Sequence, residues 1–164
     1  MNPKKSTHFL DVERFWDKFE KKEQERENFD PRKKVHTDLL WREINKAITT
    51  SKKLKILDAG AGPGRFSIPL AKLGHHLVHL DISQNMLQLA QKKAANHHLS
   101  NIKFIKGNIC SDLDFPDNAF DLVLCLDSPL SWCHENYKQV LKELIRITNS
   151  TLILCVMNLV GVVL

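Results

Sequence analysis

Residues 54–83, LKILDAGAGPGRFSIPLAKLGHHLVHLDIS, decide the fold of this chain. Leu54, Ile56 and Leu57 make a short apolar strand. Gly60, Gly62 and Gly64, at every second position, then let the backbone turn sharply with no Cβ in the way of a ligand. The helix that follows directs its unpaired N–H groups at the loop, which favours anionic or electron-rich ligand groups. A second apolar strand, residues 77–80, ends at Asp81, 23 positions beyond Asp58. An acidic side chain about 20 residues past a glycine turn suits the two hydroxyls of a ribose. The run therefore has the layout of a nucleotide-handling βαβ unit.

Two common glycine loops do not fit. The dinucleotide fingerprint G-x-G-x-x-G requires its third glycine at position 65, where this chain has Arg65, and the glycine falls one step early at Gly64. A phosphate-binding P-loop needs Gly-Lys-Ser/Thr after the turn, and none follows. The string Leu57-Asp58-Ala59-Gly60-Ala61-Gly62-Pro63-Gly64 instead resembles motif I of the class I S-adenosylmethionine-dependent methyltransferases: an acidic residue, one spacer, then G-x-G-x-G.

The resemblance continues along the chain. It implies a three-layer αβα sandwich around a Rossmann-like, doubly wound, mainly parallel sheet of strand order 3-2-1-4-5, preceded by N-terminal helices. A helix over 84–95 leads to a third strand within 102–109, where Asn108 stands in place of the usual Asp. A fourth strand over 120–127, a helix over 137–147 and a fifth strand over 151–157 complete the match. The family sheet has seven strands ordered 3-2-1-4-5-7-6, and the sixth and seventh have no counterpart here. The expectation is a truncated core, with its open apolar strand edge left bare or covered by a second copy in a homodimer.

Composition bounds the rest. With 164 residues, 43% of them hydrophobic, the chain reads as one ordinary soluble α/β domain. Cys110, Cys125, Cys133 and Cys155 lack C-x-x-C spacing, and two fall in core strands, so all four are expected to be reduced and structural. The eight histidines lack partners at ligand spacing, and no metal site is expected. The charged N-terminus is unlike a signal peptide, and the run at 151–164 is too short to span a membrane; a cytoplasmic protein with no membrane partner is expected. Residues 1–53 hold fourteen Lys or Arg against ten Asp or Glu, whereas 54–164 hold ten against nine. Residues 12–26 mix both signs around Phe15, Trp16 and Phe19 at helical spacing, which describes an amphipathic helix rather than a nucleic-acid arm. Asp30 and Pro31 open a second helix over 31–49, with Val35, Leu39, Ile44 and Ile48 roughly on one side.

The division expected is a helical lid or cap over 1–53, with Trp16, Phe19 and Trp41 as lid residues or as inter-helix packing, and an S-adenosylmethionine-binding core over 54–164. Carried over residue by residue, the resemblance implies that Gly60, Ala61, Gly62 and Gly64 pass under the methionine and ribose, with Asp58 ordering the loop or the amino group. Asp81 would hold the ribose, Ile82 and Met86 would pack on adenine, and Asn108 with Ile109 would read its edge. Leu126 and Asp127 would face the methionine ammonium and the transferable methyl, and S-adenosylhomocysteine would be the product. Asp127, His134, Glu135 and Tyr137 are the nearby candidate bases, with Asp127 and His134 foremost. The sequence DSPLSW at 127–132 departs from the [DNS]-P-P-[YFW] of enzymes acting on planar nitrogens, which favours a small-molecule acceptor. An RNA-directed enzyme and a non-catalytic cofactor-binding module are the alternatives.

Overall fold

The computed structural model describes residues 7–49, 52–111 and 113–156. Two helices come first, α1 (Thr7–Phe29) and α2 (Pro31–Ala47). They are followed by β1 (Lys55–Ala59), α3 (Ser67–Lys72), β2 (His76–Asp81), α4 (Gln84–Asn96), β3 (Ile102–Lys106) and β4 (Phe120–Cys125). A 3₁₀ segment (Pro129–Asn136), α5 (Tyr137–Arg146) and β5 (Thr148–Leu154) complete the described chain.

The strands form one sheet in the order β3-β2-β1-β4-β5, as expected, and every pairing is parallel. Alternation along each strand feeds two cores. Ile56, Leu122 and Leu124 pack with Ile44 of α2 and Leu70 of α3 on one face, whereas Leu57, Val123 and Cys125 pack with Val140 and Leu144 of α5 on the other. A sheet covered on both faces needs strands that are apolar nearly throughout, and β1 and β4 meet that need. Because all five strands run the same way, the loops after β1 to β4 gather at one edge, the place where open α/β sheets bind ligands.

Local signals explain the helix starts. The Asp30 side chain accepts from Arg32 N at 2.9 Å with Pro31 in the first turn, and Ser83 accepts from Met86 N at 3.2 Å to cap α4. Three expectations are corrected. Val35 and Leu39 do not share the buried side of α2: they are 60% and 48% exposed, while Ile44 is fully buried. At about 100° per residue, Leu39 and Val35 lie about 140° and 180° around the helix from Ile44, and Leu40, Trp41 and Ile48 take the sheet-facing side instead. The fifth strand begins at Thr148, three residues before the expected start; position 157 lies outside the described residues. The cysteines are not all reduced. Cys110 and Cys133 form a disulfide, leaving Cys125 and Cys155 as the free pair. The connection leaving edge strand β3 must cross back over the sheet to reach β4, and this brings Cys110 to the 3₁₀ segment, a proximity that spacing along the chain does not encode. Among the described residues, no helix is long and apolar enough to cross a membrane.

Candidate active site

The carboxyl edge of the sheet holds a cavity built from four loops and roofed by α1. Its floor is the glycine loop after β1. Gly60 N and Ala61 N both donate to Leu80 O, at 2.8 and 3.1 Å, which ties the loop to the end of β2. Gly60, Gly62 and Gly64 all adopt positive φ, at 76°, 55° and 84°. They serve different neighbours. A Cβ on Gly60 would sit 2.4 Å from Pro129 Cγ, and one on Gly64 would sit 2.9 Å from Ile68 Cγ1 and 3.3 Å from Ala90 Cβ. A Cβ on Gly62 would meet nothing within 4 Å. Gly60, Ala61 and Gly62 line the cavity, while Gly64 lies off the wall and packs closely against Ile68 of α3 and Ala90 of α4.

Asp81 ends β2 inside the cavity wall. Gly62 N donates to its Oδ2 at 2.7 Å and Ser83 N to its Oδ1 at 2.8 Å. Burial nevertheless raises its pKa to about 6, the two amide bonds only partly offsetting the lost hydration. Ile82 and Met86 follow it along the wall, and Asn108, Ile109 and Cys110 supply the opposite side from the loop after β3. The Asn108 side-chain oxygen already accepts from Cys110 N at 2.9 Å, so this residue shapes its own loop as well as lining the cavity.

The end of β4 is the charged corner. Leu126 and Asp127 line the cavity, and Asp127 and Ser128 turn the chain through left-handed φ values of 59° and 72°. Asp127 is held by three basic residues: Lys33 Nζ donates at 2.6 Å, His36 Nε2 lies at 2.7 Å, and Arg65 pairs with it as well. Lys33, only 8% exposed, also meets Glu23 Oε1 at 2.9 Å, and Arg65 reaches Thr37 Oγ1 at 3.0 Å. Burial pushes the Asp127 pKa up, but Arg65 and Lys33 outweigh it and hold the carboxyl below its usual range. A carboxylate so engaged is a poor proton acceptor. His36, Asp127 and Cys155 lie close enough to share a metal ion, yet the two cations already on Asp127 oppose one there.

Aromatic side chains close the mouth. Trp16 and Trp132 both line the cavity, with ring centroids 5.9 Å apart, and Phe15 stacks on Phe19 at 5.1 Å beside them. Asp17 on α1 accepts from Ser83 Oγ at 2.6 Å and Asn85 N at 3.2 Å, and Glu13 pairs with Lys106 at 2.6 Å, so α1 is pinned to the rim. Trp41 packs on Phe66 away from this cluster. His134, Glu135 and Tyr137 do not reach the cavity wall.

Of the residues singled out in the sequence, the structure thus gathers Asp58, Gly60, Ala61, Gly62, Asp81, Ile82, Met86, Asn108, Ile109, Leu126 and Asp127 around one cavity. Sequence reasoning missed Lys33, His36, Glu23 and Arg65. Only Arg65 left a signal, as the bulky cation that displaces a glycine from the dinucleotide pattern.

A parallel sheet with a glycine loop after β1 and a buried acid ending β2 defines a Rossmann-like nucleotide-cofactor domain. Comparison with known proteins narrows this. The family model described as a methyltransferase domain matches residues 56–151, so the chain belongs to that family of S-adenosylmethionine-dependent methyltransferases. It is 35% identical over 116 residues to the demethylmenaquinone methyltransferase of a Geobacillus species, covering 66% of this chain and 47% of that protein. The demethylmenaquinone methyltransferase of Listeria monocytogenes serotype 4a is likewise 35% identical, over 65% of this chain and 46% of its own. The chain thus spans about half the length of the curated relatives it matches. Among solved structures, the PH0226 protein of Pyrococcus horikoshii OT3 aligns with a TM-score of 0.69 at 28% identity, covering 83% of this chain and 60% of that one. The magnesium protoporphyrin IX methyltransferase of Synechocystis PCC 6803, with bound S-adenosylmethionine, shares the fold at a TM-score of 0.72 and 20% identity, covering 90% of this chain and 75% of its own.

Proposed function

We propose that the cavity binds S-adenosylmethionine and that the chain carries out methyl transfer to a small-molecule acceptor. The observation that carries this reading is the Asp81 carboxylate, fixed by two backbone amides at the cavity wall beside the open face of Gly62. An acceptor with that geometry suits paired ribose hydroxyls, and a loop without side-chain bulk suits a ligand lying on it. In this reading Ile82 and Met86 flank the adenine, Asn108 and Ile109 meet its edge, and Asp58 with the Leu126 carbonyl faces the methionine ammonium.

A methyl sulfonium supplies an already activated methyl group. Bound S-adenosylmethionine would offer that methyl to an acceptor's lone pair, the S–CH₃ electrons passing to sulfur as the new bond to carbon forms, and an acceptor that carries a proton would lose it to solvent once the site reopens. The chain's own work is alignment and exclusion of water. Trp16 and Trp132 shield the mouth, and Pro129 over Gly60 fixes the loop beneath it. Asp127, paired with Arg65 and Lys33, acts as a structural charge linking α2 to the site rather than as a base. The Trp16–Trp132 mouth favours a flat, apolar acceptor over a charged polymer.

Calorimetry with S-adenosylmethionine on wild type and Asp81→Ala tests the reading. The expected result is wild-type binding that weakens at least tenfold in the variant, on the scale of about 1.5–3 kcal/mol for hydrogen bonds to a charged group. Absence of wild-type binding refutes the cofactor reading; equal affinities remove Asp81 from it.

A further inference from the structure

Behind the cavity runs a buried hydrogen-bonded chain that the proposed transfer does not use. Asp58, Ser67 and His79 come from β1, the start of α3 and β2, and are 2%, 0% and 0% exposed. Ser67 Oγ donates to Asp58 Oδ2 at 2.5 Å, and His79 Nδ1 lies 2.9 Å from the same hydroxyl. Among the described residues, His79 Nε2 is the one buried side-chain nitrogen or oxygen without a hydrogen-bond partner. Buried polar atoms are nearly always satisfied, so this exception calls for a reason.

A serine hydroxyl has one proton to give. While Asp58 is ionised, Ser67 gives that proton to the carboxylate and can only accept from His79. The ring proton then sits on Nδ1, leaving Nε2, which has no hydrogen-bond partner, with only its lone pair. When Asp58 takes up a proton the chain reverses. The acid donates to Ser67, Ser67 donates to Nδ1, and the ring proton sits on Nε2. The balance is one proton gained overall, with the imidazole neutral in both states.

We infer that Ser67 and His79 are positioning residues for Asp58, orienting its ionised carboxylate along the cavity wall and coupling its protonation to the tautomer of His79. The inference rests on the proposed cofactor site in one respect: the cationic group that Asp58 would meet is the methionine ammonium. The electrostatic surroundings agree with a neutral ring and a titrating acid. Burial raises the Asp58 pKa to about 6 against the Ser67 hydrogen bond, with Asp81 raising it further and Arg65 lowering it. Burial lowers His79 to about 4, with the Gly62 backbone opposing and Lys93 of α4 assisting. Also packed here are the Phe104 ring on β3, 5.0 Å from the His79 ring, and the Cys125 thiol on β4, which burial pushes up to about 12 and keeps protonated.

The test uses the full chain labelled with ¹⁵N-histidine, its His79 resonances identified by comparison with His79→Phe. Long-range ¹H–¹⁵N spectra from pH 8 to pH 5 should show the Nδ1–H tautomer giving way to Nε2–H as Asp58 protonates, and Ser67→Ala should abolish the change. In parallel, S-adenosylmethionine affinity should fall between about tenfold and about a hundredfold from pH 7 to pH 5, a factor of about ten for each of Asp58 and Asp81 that must be ionised. Asp81 titrates in the same range, so the discriminating result is the variant: loss of the Ser67 hydrogen bond moves the acid limb to higher pH, and Ser67→Thr, which keeps the hydroxyl, restores it. A single His79 tautomer throughout in wild type, or an acid limb unmoved in Ser67→Ala, overturns the inference. A tautomer change without any cofactor binding leaves the coupling standing and refutes the proposed function instead.

Discussion

Reducing the Cys110–Cys133 bond should weaken both the fold and the cavity. The bond closes a loop between positions 23 apart in sequence. Cross-linking a loop of that size removes chain entropy from the unfolded state equivalent to about 3.5 kcal/mol at 25 °C. With a urea slope of about 2 kcal/mol/M, the unfolding midpoint of the oxidised protein should exceed that of the reduced protein by about 1.7 M. Cys133→Ala supplies the control, because its midpoint should not respond to reductant. It should also sit slightly below that of the reduced wild type, since Cys133 is 1% exposed and its sulfur fills core space. Thiol titration of the denatured, oxidised chain should find two reactive groups, Cys125 and Cys155. Because Cys110 lines the cavity and Cys133 neighbours Trp132, reduction should also weaken ligand binding at the cavity. Superimposable urea curves with and without reductant would refute the reasoning.

Two further substitutions probe the site's construction. Gly60→Ala should destabilise the fold by about 2–4 kcal/mol, combining left-handed backbone strain with overpacking against Pro129, as read from thermal or urea unfolding; a change within 0.5 kcal/mol would show that the β1 and β4 loops yield easily. Lys33→Met strips a nearly buried cation from both Glu23 and Asp127 and should cost about 2 kcal/mol, with Asp127 less strongly held ionised; unchanged stability, and an Asp127 carboxyl NMR titration matching wild type, would mean that the pairs contribute nothing.

The β1–glycine–β2 unit was legible because its requirements are local. Positive φ favours glycine, a capped helix favours an acceptor before it, and an acid closing a strand after a glycine turn is a readable pattern, so Gly60, Gly62, Asp30 and Asp81 each leave a mark in the sequence. The sheet order followed from the family resemblance, and the structure bears it out. The charged corner was not legible because Lys33 and His36 reach Asp127 from 94 and 91 residues away. Nothing in the helical pattern of α2 distinguishes a lysine aimed at a buried carboxylate from one in solvent. The disulfide escaped for the same reason, and the partners of Asp58, His79 on β2 and Ser67 at the start of α3, sat in elements that read as ordinary core. Val35 and Leu39 misled because counting apolar residues along α2 does not by itself fix which angle of the helix meets the sheet.

Pro129 resting on Gly60 has a consequence for how such a chain can change. The two residues belong to loops at the ends of adjacent strands, β1 and β4, and no side chain larger than hydrogen fits at position 60 while the proline ring stays where it is. The cavity floor and the segment leading to Trp132 are therefore one interlocked part. A new mouth grafted onto this scaffold must bring its own solution for the space above Gly60. Variation at position 60 should be found only alongside variation at 129, so that specificity and cofactor geometry would drift together rather than independently.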